Sequence, residues 1–107
     1  LALIEHMLDE TAAVYIQLGQ LDDAIATVLQ AVAMCDANEK IQRYRKARFE
    51  AYLFLGTIYA LNNEFIRAEA TFQKAEMHLE DSGDHWNLPL CPKEIREKAE
   101  EERMAKR

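Results

Sequence analysis

The sequence predicts an all-α fold, built from antiparallel helix pairs and closed by one extra C-terminal helix, on three observations. The 107 residues contain only three Gly and two Pro, too few turn formers for a β-sandwich, which needs a turn about every 8–12 residues. Half of the residues are apolar, enough for the core of one domain. They recur at offsets of three, four and seven, as in amphipathic helices, and the pattern around residue 19 returns around residue 63, which marks a repeat.

Leu1, Ile4, Leu8, Tyr15 and Leu18 form the stripe of a first helix that ends at Gly19, a residue that adopts the left-handed conformation at low cost. Asp22 sits where an N-cap belongs, Asp23 lies near the positive end of the second helix dipole, and Ile25, Val28, Leu29 and Val32 carry the period to about Asp36. A third helix is expected from about Lys40 to Leu61, burying Tyr44, Ala51, Tyr52, Leu55 and Tyr59, until Asn62-Asn63 breaks it. The fourth starts at Glu64, buries Phe65, Ala68, Phe72, Ala75 and Leu79, and stops near Ser82-Gly83. Residues 84–91 read as a loop around Trp86. Pro92 opens the last helix, over 92–107, where its missing N–H costs nothing, and Glu94–Lys98 and Glu102–Lys106 are favourable i,i+4 pairs. Ile95, Ala99, Met104 and Ala105 make too thin a stripe for a core, so this helix either caps the preceding pair or projects into solvent.

Superimposing Gly19 on Asn63 aligns Tyr15 with Tyr59, Leu21 with Phe65, Ala24 with Ala68, Val28 with Phe72, Ala31 with Ala75 and Ala12 with Gly56. In the second copy, Tyr52-x-x-Leu55-Gly56-x-x-Tyr59 is followed by Ala68-x-x-x-Phe72. This run resembles the tetratricopeptide repeat, in which small residues let paired helices approach and large ones fill the space between pairs. The resemblance implies a right-handed α-solenoid over residues 1–83, with helix pairs at about 5–38 and 49–82. The first copy departs from it, with Leu8, Thr11 and Ala12 where the family prefers Trp, Leu and Gly, and both copies lack the terminal Pro, with Asp36 and Glu80 in its place. The copies are 44 residues apart against a family period of about 34. The ten surplus residues amount to about 15 Å of helix, and residues 39–50 hold no Gly or Pro, so a long-helix variant of about two repeats is expected, with a loop around Asn38 as the alternative.

The resemblance also implies a function: a non-catalytic adaptor or scaffold domain that binds a peptide or helix of a partner protein in a groove lined by the first helix of each pair. By the alignment the groove positions are His6, Asp9, Glu10, Ala13, Ile16 and Gln17 in the first copy, and Glu50, Leu53, Phe54, Thr57, Ala60 and Leu61 in the second. None is basic, so the cationic clamp with which chaperone-tail binders of this family hold a carboxylate is absent. An acidic entrance over an apolar floor suits an apolar or basic segment. Asp9 and Glu10 also read as ordinary solvated residues. Leu53, Phe54 and Leu61 make their helix apolar nearly all round, which calls for a ligand, a neighbouring repeat or a second copy of the chain. Self-association is therefore the alternative function, since about three repeats are needed to bury a continuous core.

Net charge is −6, and it is unevenly placed: residues 1–38 hold six acids and no Lys or Arg, while residues 39–107 hold thirteen of each sign. An acidic first half repels phosphate backbones, which argues against nucleic acid and against RNA-binding helical repeats. Lys40, Arg43, Arg45, Lys46 and Arg48 point around nearly the whole helix, with Glu39 and Glu50 placed to pair with Arg43 and Lys46. They read as a solvated helix start, with contact to an acidic protein or a phosphate as the alternative. No apolar run reaches the roughly 18 residues of a membrane span, and no secretory signal opens the chain. Cys35 and Cys91 lack C-x-x-C spacing and read as reduced thiols, so an intracellular, cytoplasmic protein is expected, with no membrane partner. A start without Met, inside an apolar pattern, suggests a piece of a longer protein.

The spacing of His78, His85 and Cys91 matches no common zinc unit, even with Cys35 added, and His6 with Asp9 and Glu10 lacks a second ligand set, so neither metal nor cofactor is expected. Trp86 is expected to seal the end of the last repeat, with an interface anchor as the alternative. The sequence has no nucleophile elbow, phosphate loop or dinucleotide fingerprint, and an enzyme is not expected.

Overall fold

In the computed structural model, which describes residues 2–81 and 90–106, the chain is a succession of helices with no strand among the described residues. The first three elements are α1 (Ala2–His6), a π-helical segment (Met7–Ala12) and α2 (Ala13–Gln17). The junction residues keep right-handed helical dihedrals, so the three run on as one N-terminal rod. α3 (Leu21–Ala37), α4 (Gln42–Leu61), α5 (Phe65–Asp81) and α6 (Lys93–Ala105) follow, each packing on its predecessor. The body measures 41 × 34 × 20 Å, and its thin dimension is about two helix diameters. This is the all-α helical-repeat fold expected from the sequence.

The rod departs from the expected stripe. Ile4, Leu8 and Ala12 are buried and Tyr15 and Ile16 half-buried, while Leu18 is 63% exposed. A π turn takes in more residues than an α turn, so the buried face advances by four residues through this segment. That brings Ala12 inward and rotates Leu18 out.

Both turns close in the same way. Gly19 has φ 74° and Asn63 φ 60°. Gln20 N–H donates to the Tyr15 carbonyl at 2.8 Å and Gly19 N–H to Ile16 at 3.1 Å; Glu64 N–H donates to Tyr59 at 2.9 Å and Asn63 N–H to Ala60 at 3.1 Å. These are the paired bonds of a Schellman motif, which satisfy the last carbonyls of a helix through a left-handed residue. The N-cap of α3 is Gln20, with no side-chain bond, rather than Asp22. The Gly19 turn is so short that α3 begins at once, and Asp22 and Asp23 fall inside its first turn, where they favour the dipole.

Between the helices, Ala24, Ala31, Ala68 and Ala75 are completely buried, as close approach requires. Gly56 meets the Phe72 ring so closely that an added Cβ would lie 2.9 Å from Cε2. The aligned residues of the first pair, Ala12 and Val28, are also fully buried and exchange volume, a methyl more on one side and a smaller side chain on the other.

α6 lies along α5. Ala99 is buried and Ile95 packs against the core. The Phe65 N–H at the start of α5 donates to Glu102 Oε2 at 3.0 Å, Arg103 pairs with Glu69 at 2.7 Å, and Lys98 lies over the Phe65 ring. The Glu102–Lys106 pair forms at 3.3 Å; the expected Glu94–Lys98 pair is not among the ion pairs of the described residues, and Lys98 lies over the Phe65 ring instead. Leu90 and Cys91 lead into α6, with Leu90 N–H donating to Glu76 at 2.7 Å. Ser82, Gly83, His85, Trp86 and the Leu79 side chain lie outside the described residues.

Candidate functional site

The rod and α4 bring one part of the expected groove together. Ile16 from α2 and Leu53, Phe54 and Thr57 from α4 line a cleft of about 170 Å³. Leu53 and Phe54 share a face with Thr57 because each stands about one turn, four or three residues, before it on a regular helix. Phe54 and Ile16 are half-buried and pack against the core, so they support the fold as well as the cleft wall. The Thr57 hydroxyl donates to the Leu53 carbonyl at 2.9 Å, which leaves the cleft essentially apolar.

The remaining groove positions do not line this cleft. His6 and Glu10 pair with each other, Nδ1 to Oε2 at 2.7 Å, one helical turn apart. Asp9, Gln17 and Glu50 are exposed, Ala13 and Ala60 half-buried, and Leu61 is 53% exposed near the end of α4. The π-helical segment carries Asp9 and Glu10, so their direction is set by a wider turn than the alignment assumes.

A second cavity, of about 420 Å³, lies where α3 turns into α4 and is lined by Glu39, Lys40, Arg45, Arg48 and His78. Four of these five come from the stretch read as a solvated helix start or its border, and Arg48 corrects that reading. It is 8% exposed, and its Nη2 donates to the Cys35 carbonyl at 3.1 Å and pairs with Asp36 at 3.0 Å. It thereby ties the end of α3 to α4. The expected Glu39–Arg43 and Glu50–Lys46 pairs do not form among the described residues. Tyr52 stacks on His78 with centroids 5.1 Å apart and planes 5° from parallel, fixing α5 beside this end of α4. Burial pushes the Cys35 thiol and the Tyr52 phenol above their ordinary pKa values, with Arg48 opposing in both cases. Sequence spacing alone gave no sign of this convergence, because His78 comes from another helix; the hint was a helix start with five cations and no acid in its first turn.

Cys35 and Cys91 are free and buried, and burial also raises the Cys91 thiol. Among the described residues no three His, Cys, Asp or Glu side chains gather as a metal site. None of the described helices is long and apolar enough to cross a membrane.

A tetratricopeptide repeat family model matches residues 49–76, which span most of α4 and the first two-thirds of α5. No curated protein and no solved structure matches the chain.

Proposed function

The chain carries a tetratricopeptide repeat at residues 49–76, a unit that generally mediates protein–protein interaction, and from that premise we propose that it is a non-catalytic adaptor or scaffold domain. It binds an apolar or basic helix or peptide of a partner protein between the N-terminal rod and α4. Residues 5–38 act as a second, degenerate repeat. The floor is Ile16, Leu53, Phe54 and Thr57; Ala13 and Leu61 extend the apolar surface, and His6, Asp9, Glu10, Gln17 and Glu50 form the polar rim. The cleft supports this reading best: it is apolar, it draws on both helix pairs, and no Lys or Arg stands at any groove position. Binding there is tested by titrating the ¹⁵N-labelled chain with two amphipathic helical peptides of one pattern, Leu/Lys and Leu/Glu. The Leu/Lys peptide is expected to shift Ile16, Leu53, Phe54 and Thr57, and Leu53→Asp to remove the effect with helicity retained. Equal response to both peptides, or none, defeats the groove reading.

Self-association is the second reading, favoured by Leu3, Val14 and Leu18 of the rod, which are 58%, 50% and 63% exposed. Apolar exposure of this kind marks interfaces. Light scattering over a concentration series tests it, and a monomer at the highest concentration rules it out. We also place the domain in the cytoplasm, on the free buried thiols Cys35 and Cys91; secretion of the tagged full-length protein would exclude that.

A further inference from the structure

We propose that the cavity at the α3–α4 turn binds the phosphoryl group of a phosphorylated protein side chain, held by Lys40, Arg45 and Arg48. In a chain of net charge −6, the described residues lining this cavity are three cations, Lys40, Arg45 and Arg48, with His78 and one carboxylate, Glu39. The cavity sits by the start of α4, a 20-residue helix whose N-cap, Ile41, offers no side-chain bond and whose first turn holds no acid. The first N–H groups of a helix carry its positive dipole end, and Lys40, Arg43 and Arg45 add charge of the same sign, offset in part by Glu39 on the cavity wall and by Asp36, which pairs with Arg48. Lys40, Arg43, Arg45 and Lys46 enter no ion pair among the described residues; the only cation of this stretch that does is Arg48.

Arg48 supplies the independent observation. It is more than nine-tenths buried and lines the cavity, and its Nε–H is buried without an acceptor. A buried donor left unpaired destabilises a fold unless something satisfies it. Asp36 and the Cys35 carbonyl hold this guanidinium in place through Nη2, so an anion entering the cavity meets a fixed guanidinium beside Lys40 and Arg45, which enter no ion pair among the described residues.

The chemistry favours a phosphate monoester over a carboxylate. A carboxylate carries one charge, whereas a phosphorylated side chain carries about −1.5 to −2 and three strong acceptor oxygens, a closer match to Lys40 and Arg45 beside the Arg48 guanidinium, even with Glu39 and Asp36 offsetting part of their charge. The five described lining side chains are all polar or charged, which suits a phosphoryl group better than an apolar one. The site shares no residue with the Ile16–Leu53–Phe54–Thr57 cleft, and it stands or fails apart from the groove reading.

The test is a ¹⁵N titration at fixed ionic strength and pH 7.5 with inorganic phosphate, with N-acetyl-O-phosphoserine amide and with acetate. Saturable shifts confined to residues 39–48 are expected with both phosphates, at least as tight for the phosphoserine amide, and none with acetate. Lys40→Glu with Arg45→Glu, both at exposed positions, is expected to weaken phosphoserine binding at least about tenfold with an unchanged helical spectrum. Equal response to acetate, shifts that do not saturate, or shifts that survive the double substitution mean an adventitious ion only and overturn the proposal. Saturation by inorganic phosphate without the phosphoserine amide overturns the protein-borne assignment.

Discussion

The turns at Gly19 and Asn63 make the same two backbone hydrogen bonds, 44 residues apart, yet the helix pairs they join are filled and covered differently. The second pair sets Gly56 against Phe72 and is overlaid by α6; the first has Ala12 and Val28 at the aligned positions, and its rod leaves Leu3, Val14 and Leu18 exposed. The repeat is thus specified by a left-handed turn residue and by buried alanines, which allow the helices to approach. The volume between the helices can be divided in more than one way. Packing theory expects this, since cores tolerate exchanges that conserve total volume better than one-sided changes.

The largest effects should come from breaking one side of that exchange. Phe72→Ala is expected to cost about 3–5 kcal/mol, and Val28→Ala less, because a smaller cavity is left. Gly56→Ala is expected to lose about 1–3 kcal/mol by overpacking against the Phe72 ring, offset in part by about 1 kcal/mol of helix propensity. Combining Gly56→Ala with Phe72→Val reproduces the first pair's residues and should be milder than the sum of the single changes, a coupling within the range of about 0.5–3 kcal/mol. Urea unfolding of the four proteins of this cycle measures it. Strict additivity would mean that the two residues do not share space.

How far the sequence could be read follows the same division. Ala24, Ala31, Ala68 and Ala75, the left-handed turns and the second copy were legible because they depend on local conformation and on a fixed helical period. Leu18 was misplaced because a helical wheel assumes a constant rotation, and the π-helical segment Met7–Ala12 changes it. Asp22 was displaced by two residues because the turn is shorter than a side-chain cap needs. Arg48 looked solvated by composition, and only the arrival of the α3 carboxy end at α4 buries it. Of the expected groove positions, Leu53, Phe54 and Thr57 line one cleft with Ile16, while His6 and Glu10 pair with each other, a local i,i+4 geometry that a repeat alignment does not weigh.

A middle-sized effect separates the two turns. Gly19 has open space around a built Cβ, so Gly19→Ala should cost only the left-handed backbone penalty, about 1 kcal/mol. Gly19→Asn should cost less, since Asn tolerates this conformation and already occupies it at Asn63. The converse change, Asn63→Gly, should be neutral or slightly stabilising. Thermal melts of the three variants check this; a Gly19→Ala protein as stable as the parent would show that the first turn does not need its left-handed residue.

The smallest effect concerns the cover that only the second pair has. Glu102 takes the place of an N-cap for α5 from another helix, accepting the Phe65 N–H, whereas α3 starts at Gln20 with no side-chain bond at all. Desolvation raises the Glu102 pKa, but the bonds from Lys106 and from the Phe65 and Ile66 N–H groups outweigh it and hold the carboxyl below its ordinary value. A carboxyl whose folded pKa lies below the unfolded one stabilises the fold above the unfolded value, about 4.3, and loses that contribution as pH falls through the folded value. Hydrogen exchange of the α6 amides and of Phe65 should therefore be faster in Glu102→Gln than in the parent at neutral pH. The difference between the two proteins should shrink as pH falls below the ordinary carboxyl value, with α3 unaffected by the substitution throughout. Identical exchange at neutral pH would leave Ile95 and Ala99 as what holds α6, and the second pair would then be covered by apolar contact alone.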